Sequence, residues 1–258
     1  MAPSHLSDKK VSGTGAFPVP VRSLGEQRRI VDLLERAAGI RRLREQALAK
    51  ARAIVPALFL DMFGDSATNP KGWPVVTLAE MGTLDRGRSR HRPRNDPRLL
   101  GGPYPFIQTG DVANSKGMIE HYTSTYSEIG LQQSRMWPKG TLCITIAANI
   151  AATGILTFDA CFPDSVVGFL PAPNVRSEYV QAVIDHARAI LEQNAPQAAQ
   201  RNINLRILSE LPTPLPPVVL QEMFAGRLAD LRAIIAQQQR SLTAARELER
   251  SLMARLLG

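Results

Sequence analysis

Apolar positions three and four residues apart mark two long stretches of the chain, one near each end. In the first stretch they are Ile30, Leu33, Leu34, Ala37, Ile40, Ala47, Leu48, Ala51, Ile54, Val55, Leu58 and Met62. In the second they are Phe224, Leu228, Leu231, Ile234, Ile235, Leu242, Ala245, Leu248, Leu252 and Leu256. This spacing lays one apolar stripe along an α-helix. Each stretch therefore predicts an amphipathic helix of about 40 residues, roughly 60 Å long.

The two stretches are copies of one repeat. A shift of 194 positions aligns residues 17–64 with residues 211–258 without a gap. The identical pairs are Pro18/Pro212, Pro20/Pro214, Gln27/Gln221, Leu34/Leu228, Ile40/Ile234, Leu48/Leu242, Ala51/Ala245, Arg52/Arg246, Leu58/Leu252 and Gly64/Gly258. Each copy opens with prolines, which favour extended backbone, and closes on a glycine suited to a helix C-cap. Pro56 lies inside the first helix, where we expect a kink or a break.

A helix of this length with one apolar face needs a partner, because it is not stable alone in water. Two copies in one chain, separated by other sequence, predict an antiparallel coiled coil. The alternative is that each helix packs on its own domain.

The middle of the chain has a different pattern. Short β-prone runs lie at 73–78, 104–108, 118–121, 141–146, 155–158 and 166–170, separated by glycine- and proline-rich turns, and a helix is expected at about 177–194. The predicted class is therefore α+β, with one mixed α/β domain between two long amphipathic helices. We divide the chain into a disordered lead-in at 1–16, helix 1 at 17–64, the middle domain at 70–210 and helix 2 at 211–258.

The charge is strongly positive. The net charge of +8 favours a polyanionic partner, either nucleic acid or an anionic membrane surface, although a generally basic protein would have the same charge.

Between Leu84 and Asn95 arginines occupy every second position from 86 to 94, and Arg98 follows. Arginine binds phosphates and guanine edges bidentately, so this segment predicts a DNA-contacting loop. The alternative is a solvated loop without a specific role.

Amide side chains next to turns extend this prediction. They occur at Gln108-Thr109-Gly110-Asp111 and again at 200–204, although Asp111 could equally cap its own turn. The candidate DNA-binding residues are Arg86, Arg88, Arg90, His91, Arg92, Arg94, Gln108, Thr109, Gln200, Arg201 and Asn204.

Motifs for catalysis are missing from the sequence. It contains no glycine-rich phosphate loop, nucleophile elbow or metal-ligand cluster, and no amino-methyltransferase motif.

Cys143 and Cys161 lie in apolar surroundings, and we expect buried free thiols in a reducing cytoplasm. No apolar run is long enough for a bilayer, and no export signal is visible. The expectation is a cytoplasmic protein with no catalytic residue, metal or cofactor of its own.

Several strings of residues carry a family resemblance. They are Pro18-Val19-Pro20 with residues 26–34, Gly72-Trp73-Pro74 opening the middle domain, residues 105–112 at its centre, and residues 200–205 before the proline-rich segment 211–217. In order and spacing they resemble the specificity subunit of type I restriction–modification enzymes. The resemblance implies a target-recognition domain that reads double-stranded DNA and helices that dock methyltransferase subunits, with or without a restriction subunit. S-adenosylmethionine would then bind to the partner methyltransferase.

The order of segments departs from that family, whose usual chain holds two recognition domains. One chain could pair its own helices and read a half-site, or two chains could self-associate and read a symmetric site. Two rival functions remain: a stand-alone DNA-binding regulator that dimerises through its helices, and a coiled-coil scaffold whose middle domain binds protein.

Overall fold

The computed structural model describes residues 23–94, 96–147, 149–193 and 204–257. Its helices are α1 (Leu24–Phe63), α2 (Thr109–Asn114), α3 (Glu128–Gln132), α4 (Ser177–Gln193), α5 (Leu205–Ser209) and α6 (Val218–Leu257). Its strands are β1 (Val75–Thr77), β2 (Gly82–Arg86), β3 (Leu100–Phe106), β4 (Gly117–Ile119), β5 (Ser124–Tyr126), β6 (Met136–Trp137), β7 (Leu142–Thr145), β8 (Thr153–Leu156), β9 (Ala160–Cys161), β10 (Val166–Pro171) and β11 (Pro212–Pro214). The elements confirm the predicted α+β class with a long helix on either side of a mixed domain.

The two long helices reproduce the repeat. Both contain 40 residues, and the first and last residues of α6 are those of α1 displaced by 194. Ser23 and Glu26 cap the start of α1 reciprocally, since each side chain accepts a hydrogen bond from the backbone N–H of the other. Gly64 ends this helix with φ of +79°, a conformation that favours glycine. Of the kink or break expected at Pro56, the break is wrong, because the helix continues through this residue.

The described residues form two compact units. One contains α1 up to Gln46 and α6 from Arg240, and the other comprises Ala47–Gln239. In the first unit Arg41 Nε donates to Glu249 Oε2 at 2.7 Å, and Arg246 Nη2 donates to Glu45 Oε1 at 3.0 Å. The partner number falls on α6 as the number rises on α1, so the helices are antiparallel, as predicted.

The larger unit contains three sheets. The first pairs β1 with β11 antiparallel. The second has the order β2-β10-β7-β8-β4, with antiparallel pairs except for the parallel β8 and β4. The third has the order β5-β3-β9-β6. Neighbouring strands are often distant in the chain, so the sequence pattern alone did not give this order.

An aromatic cluster joins three helices of the larger unit. Phe63 lies 4.8 Å from Tyr179 and 5.4 Å from Phe224, measured between ring centroids, and Phe59 packs beside all three. Each of these rings is at most 3% exposed. The cluster therefore brings residues of α1, α4 and α6 into one core.

Polar contacts fix the start of α6 to the same unit. Gln221 is fully buried: its Oε1 accepts from the Arg176 backbone N–H at 3.0 Å, and its Nε2 donates to Pro216 O at 2.9 Å. Farther along α6, Arg232 donates to Gln181 Oε1 at 2.6 Å. The mixed domain and α6 are thus joined by buried hydrogen bonds as well as by the core.

The predicted apolar stripe is only partly covered. Leu48, Ala51, Leu242 and Ala245 are buried, but Ile40, Ile54, Ile234 and Leu248 are 45–48% exposed. The exposed residues form two equivalent pairs of the repeat, Ile40 with Ile234 and Ile54 with Leu248.

In the part of the chain that the structure describes, no helix has the length and apolar character needed to cross a membrane.

Candidate nucleic-acid interface

The arginine-rich segment begins as a strand and continues as a loop. Leu84, Asp85 and Arg86 belong to β2, which corrects the expectation that this part of the segment is loop. The chain leaves the sheet at Gly87, whose N–H donates to Val166 O at 2.9 Å. A Cβ at this glycine would lie 2.2 Å from Phe162 O, so no larger residue fits without movement. The start of the loop is therefore fixed.

A carboxylate organises the far end of the loop. Asp96 has a side chain that is only 10% exposed, and it accepts hydrogen bonds from the backbone N–H, Nε and Nη2 of Arg98. His91 Nε2 lies 2.9 Å from Asp96 Oδ2. Hydrogen bonds from the Arg98 side chain and backbone, and then from His91, hold the pKa of the Asp96 carboxyl well below its usual range. His91 is thus part of the loop's own framework.

Two more arginines bond to the protein itself. Arg92 Nη1 donates to the carbonyl oxygens of Ser89 at 2.7 Å and His91 at 2.8 Å. Arg94 Nη2 donates to both carboxylate oxygens of Asp164, at 2.8 and 2.9 Å. Both side chains hold the loop in its observed conformation.

The other arginines face solvent. Arg86, Arg88 and Arg90 are exposed, and within the described ranges their guanidinium groups make no hydrogen bond or ion pair. A guanidinium group with its donors unused can bind phosphate or a base edge without first breaking a contact in the protein. These three side chains are the part of the segment whose guanidinium donors are not engaged within the described residues.

Gln108 is the N-cap residue of α2, and Thr109 is the first residue of that helix. Asp111 Oδ2 accepts from the Gln108 N–H at 2.8 Å, and Asp111 Oδ1 accepts from Thr123 Oγ1 at 3.0 Å, so the capping role foreseen for Asp111 is confirmed. The side chain of Gln108 is exposed, and that of Thr109 is half-buried. Among the described residues, no hydrogen bond joins either side chain to the arginine-rich loop, and their contact with DNA stays a prediction.

Of the last group of candidates, Asn204 alone can be placed. Its side chain accepts from the Ile207 N–H at 2.9 Å and caps the short helix α5. Gln200 and Arg201 lie outside the described residues.

Two residues that the sequence analysis missed form hydrogen bonds with the backbone of the loop. Gln133 Oε1 accepts from the N–H groups of Arg90 at 2.6 Å and His91 at 3.0 Å, while Ser134 Oγ donates to Arg88 O at 2.8 Å. Gln133 and Ser134 directly follow α3, and they lie more than 40 positions away from the loop residues that they bind. No local signal in the sequence marks them, since only the fold brings the two segments together.

The described residues also bear on metal binding and on cysteine chemistry. No group of three His, Cys, Asp or Glu side chains in the described part of the chain could hold a metal ion. Cys143 and Cys161 are buried free thiols, as predicted, and burial raises the pKa of both. The expectations about catalysis, cofactors and a cytoplasmic location stay predictions.

Comparison with known proteins adds independent findings. The family model for the type I restriction modification DNA specificity domain matches residues 70–244. No curated protein sequence matches the chain.

Solved structures share the fold. The crystal structure of the HsdS subunit from Thermoanaerobacter tengcongensis is 21% identical with a TM-score of 0.62, and the match covers 93% of this chain and 60% of that one. A structure reported for complex assembly and conformational transition of the type I R-M system is 20% identical with a TM-score of 0.68, covering 96% of this chain and 65% of that one. The type I restriction-modification S subunit from M. genitalium is 14% identical with a TM-score of 0.54, covering 91% and 61%.

The chain spans less than two thirds of the length of these three structures. The structural similarity supports the fold, and the sequence identity is too low to support more than the fold. The family model, in contrast, covers more than half of this chain. The chain therefore belongs to the family of type I restriction modification DNA specificity domains.

Proposed function

We propose that this chain is the non-catalytic, sequence-reading subunit of a type I restriction–modification complex. The observation that carries the proposal is the family match over residues 70–244, which includes the whole mixed domain and the first part of α6. On this proposal the mixed domain is the target-recognition domain, and the arginine-rich loop contacts double-stranded DNA. The exposed guanidinium groups of Arg86, Arg88 and Arg90 support that contact.

The helices are the proposed docking surface for methyltransferase subunits, which would bind S-adenosylmethionine. Ile40 and Ile234 are equivalent in the repeat and are 46% and 45% exposed, and the equivalent Ile54 and Leu248 are both 48% exposed. Exposed apolar residues at equivalent positions of both copies suit two copies of one partner, because each copy presents the same chemistry. A restriction subunit would join the complex in addition.

Self-association would supply a second recognition domain. Phe224 and Leu228 of α6 are at most 3% exposed in the core of the larger unit. Their equivalents in α1, Ile30 and Leu34, are only half-buried, and Leu24 and Val31 nearby are 72% and 52% exposed. We propose that a second recognition domain covers this part of α1, contributed by a second copy of the chain.

Base-resolution sequencing of methylated DNA tests the function. The chain is co-expressed with its cognate type I methyltransferase subunit, in cells that lack adenine methylation. We expect adenine methylation at one discrete motif, with a symmetric motif if two chains form the reader. A matched culture with the methyltransferase subunit alone should show no motif. The proposal would be overturned if the chain formed no stable complex with the methyltransferase subunit and no motif were methylated.

The stand-alone regulator differs in one outcome: it would bind a specific duplex but give no methylated motif when the methyltransferase subunit is co-expressed. The scaffold would bind DNA weakly and with little dependence on salt, whereas phosphate contacts give a steep salt dependence.

A further inference from the structure

The six arginines from Arg86 to Arg98 fall into two groups by their contacts. In the first group the guanidinium groups bond to the protein itself. Arg92 donates to the carbonyl oxygens of Ser89 and His91. Arg94 donates to the Asp164 carboxylate, and Arg98 donates to the Asp96 carboxylate. Arg86, Arg88 and Arg90 are exposed and make no such bond within the described ranges. The five arginines from 86 to 94 are equally spaced in the sequence, so the difference in contacts among them arises from the folded structure.

The backbone between the free arginines is held from outside the loop. The side-chain oxygen of Gln133 accepts two successive backbone N–H groups, those of Arg90 and His91. Ser134 bonds the carbonyl of Arg88. Arg88 and Arg90 are therefore attached at their backbone and free at their side chains, which is the arrangement that presents a side chain to a ligand.

The contacts of Gln133 show which of its side-chain atoms binds the loop. Its Oε1 makes both hydrogen bonds to the loop, whereas its Nε2 is buried without a hydrogen-bond partner in the described part of the chain. The buried hydroxyl of Tyr126 lies beside Ser89 and Gln133, and burial raises its pKa. Gln133 thus acts on the loop through one acceptor atom.

We propose that Gln133 is a positioning residue for DNA binding: it holds the loop so that Arg88 and Arg90, together with Arg86 at the end of β2, contact the DNA, while Arg92, Arg94 and Arg98 only maintain the loop. The inference rests on the proposed function, since it takes duplex DNA as the ligand of this loop. A loop that is already ordered loses less conformational entropy when it binds, and affinity rises accordingly.

Two substitutions separate contact from positioning. Arg88→Ala removes one phosphate contact, so the slope of log K against log salt concentration should become shallower by about 0.9. Gln133→Leu removes the acceptor but no charge. It should weaken binding about three- to tenfold while the slope stays as in the unmodified protein.

The binding experiment uses the full chain and a fluorescein-labelled, mixed-sequence duplex, followed by fluorescence anisotropy across a series of salt concentrations. Arg92→Ala should resemble Gln133→Leu, because its guanidinium group bonds only backbone carbonyls. Arg227→Ala, at an exposed arginine of α6, is the control for loss of one positive charge and should leave the slope unchanged.

Amide hydrogen exchange gives a readout that does not depend on DNA. In Gln133→Leu the amides of Arg90 and His91 should exchange faster, while those of β7 in the core keep their protection. Gln133→Glu retains an acceptor oxygen and should keep Arg90 and His91 protected. Preserved protection of β7 also establishes that the variants fold.

The outcomes separate this inference from the proposed function. If the unmodified chain shows no salt-dependent binding to duplex DNA, the proposed function fails and the inference with it. If that chain binds, but Gln133→Leu binds equally well or Arg92→Ala changes the slope as Arg88→Ala does, the inference alone is overturned.

Discussion

Arg52 and Arg246 occupy the same position in the two copies of the repeat, and each donates a hydrogen bond from Nη2 to the opposite helix. Arg52 reaches Gln239 Oε1 at 3.1 Å, and Arg246 reaches Glu45 Oε1 at 3.0 Å. Glu45 and Gln239 are also separated by 194 positions, so the second bond is the repeat image of the first. The repeat thus extends from the sequence to the contacts between antiparallel helices.

Replacing Glu45 by lysine should weaken the helix pair. This carboxylate accepts from Arg246 and Arg41, and those hydrogen bonds hold its pKa below the usual range. A lysine would place a third positive charge beside the two arginines. We expect a lower midpoint of thermal unfolding, with a difference that shrinks as salt screens the charges. Glu35→Lys, at an exposed position of the same helix, is the control, and an equal effect there would contradict the prediction.

Replacing Gln221 by leucine should destabilise the larger unit. Leucine fills the space but leaves the Arg176 N–H and the Pro216 carbonyl without their buried partner. The expected loss is about 1–3 kcal/mol in the free energy of unfolding, measured by urea denaturation. The repeat offers a matched control, since Gln27 is the equivalent residue and is exposed. Gln27→Leu should change stability by no more than about 0.5 kcal/mol.

Replacing Arg232 by methionine should loosen the bond between α6 and the mixed domain. Gln181 is 2% exposed, and its Oε1 would lose the donor that now lies 2.6 Å away. We expect a loss of about 1–3 kcal/mol in the free energy of unfolding, followed by urea denaturation. Arg227→Met at an exposed site of the same helix should cost no more than about 0.5 kcal/mol. Similar losses for both variants would show that Arg232 has no special role.

Acid should release the far end of the arginine-rich loop. Because the pKa of Asp96 is lowered in the folded protein, its stabilising effect is present above the unfolded pKa of about 3.9 and is lost as the pH falls toward the folded pKa. The amide resonance of Arg98, followed by NMR, should therefore titrate below about pH 3.9.

The Asp96→Asn variant removes the ionisable group and should abolish that acid transition. A transition at the ordinary carboxyl pKa in the unmodified protein would mean that the contacts of Asp96 with Arg98 and His91 are absent in solution.

Much of the fold could be predicted from local pattern. The spacing of apolar residues and the repeat gave both long helices, and β-prone runs such as 141–146 and 166–170 correspond to β7 and β10. Of the kink or break predicted at Pro56, the break was wrong, because the helix propensity of one residue was outweighed by the packing of residues such as Phe59 and Phe63 that follow it. The strand β2 (Gly82–Arg86) was missed, because its neighbours on β10 lie some 80 positions away in the chain.

The sequence by itself determined the repeat, the two helices, the α+β class and the run of arginines from 86 to 94, because these depend on composition and on spacing along the chain. Only the tertiary structure decided which arginines are free. Gln133 lies 42 positions from His91 and Asp164 lies 70 from Arg94, so these contacts exist only after folding. The same holds for the helix faces, where burial of Phe224 and exposure of Ile234 depend on what packs against α6. Regular spacing predicts that a side chain is available, but its partners in the fold determine what it can bind.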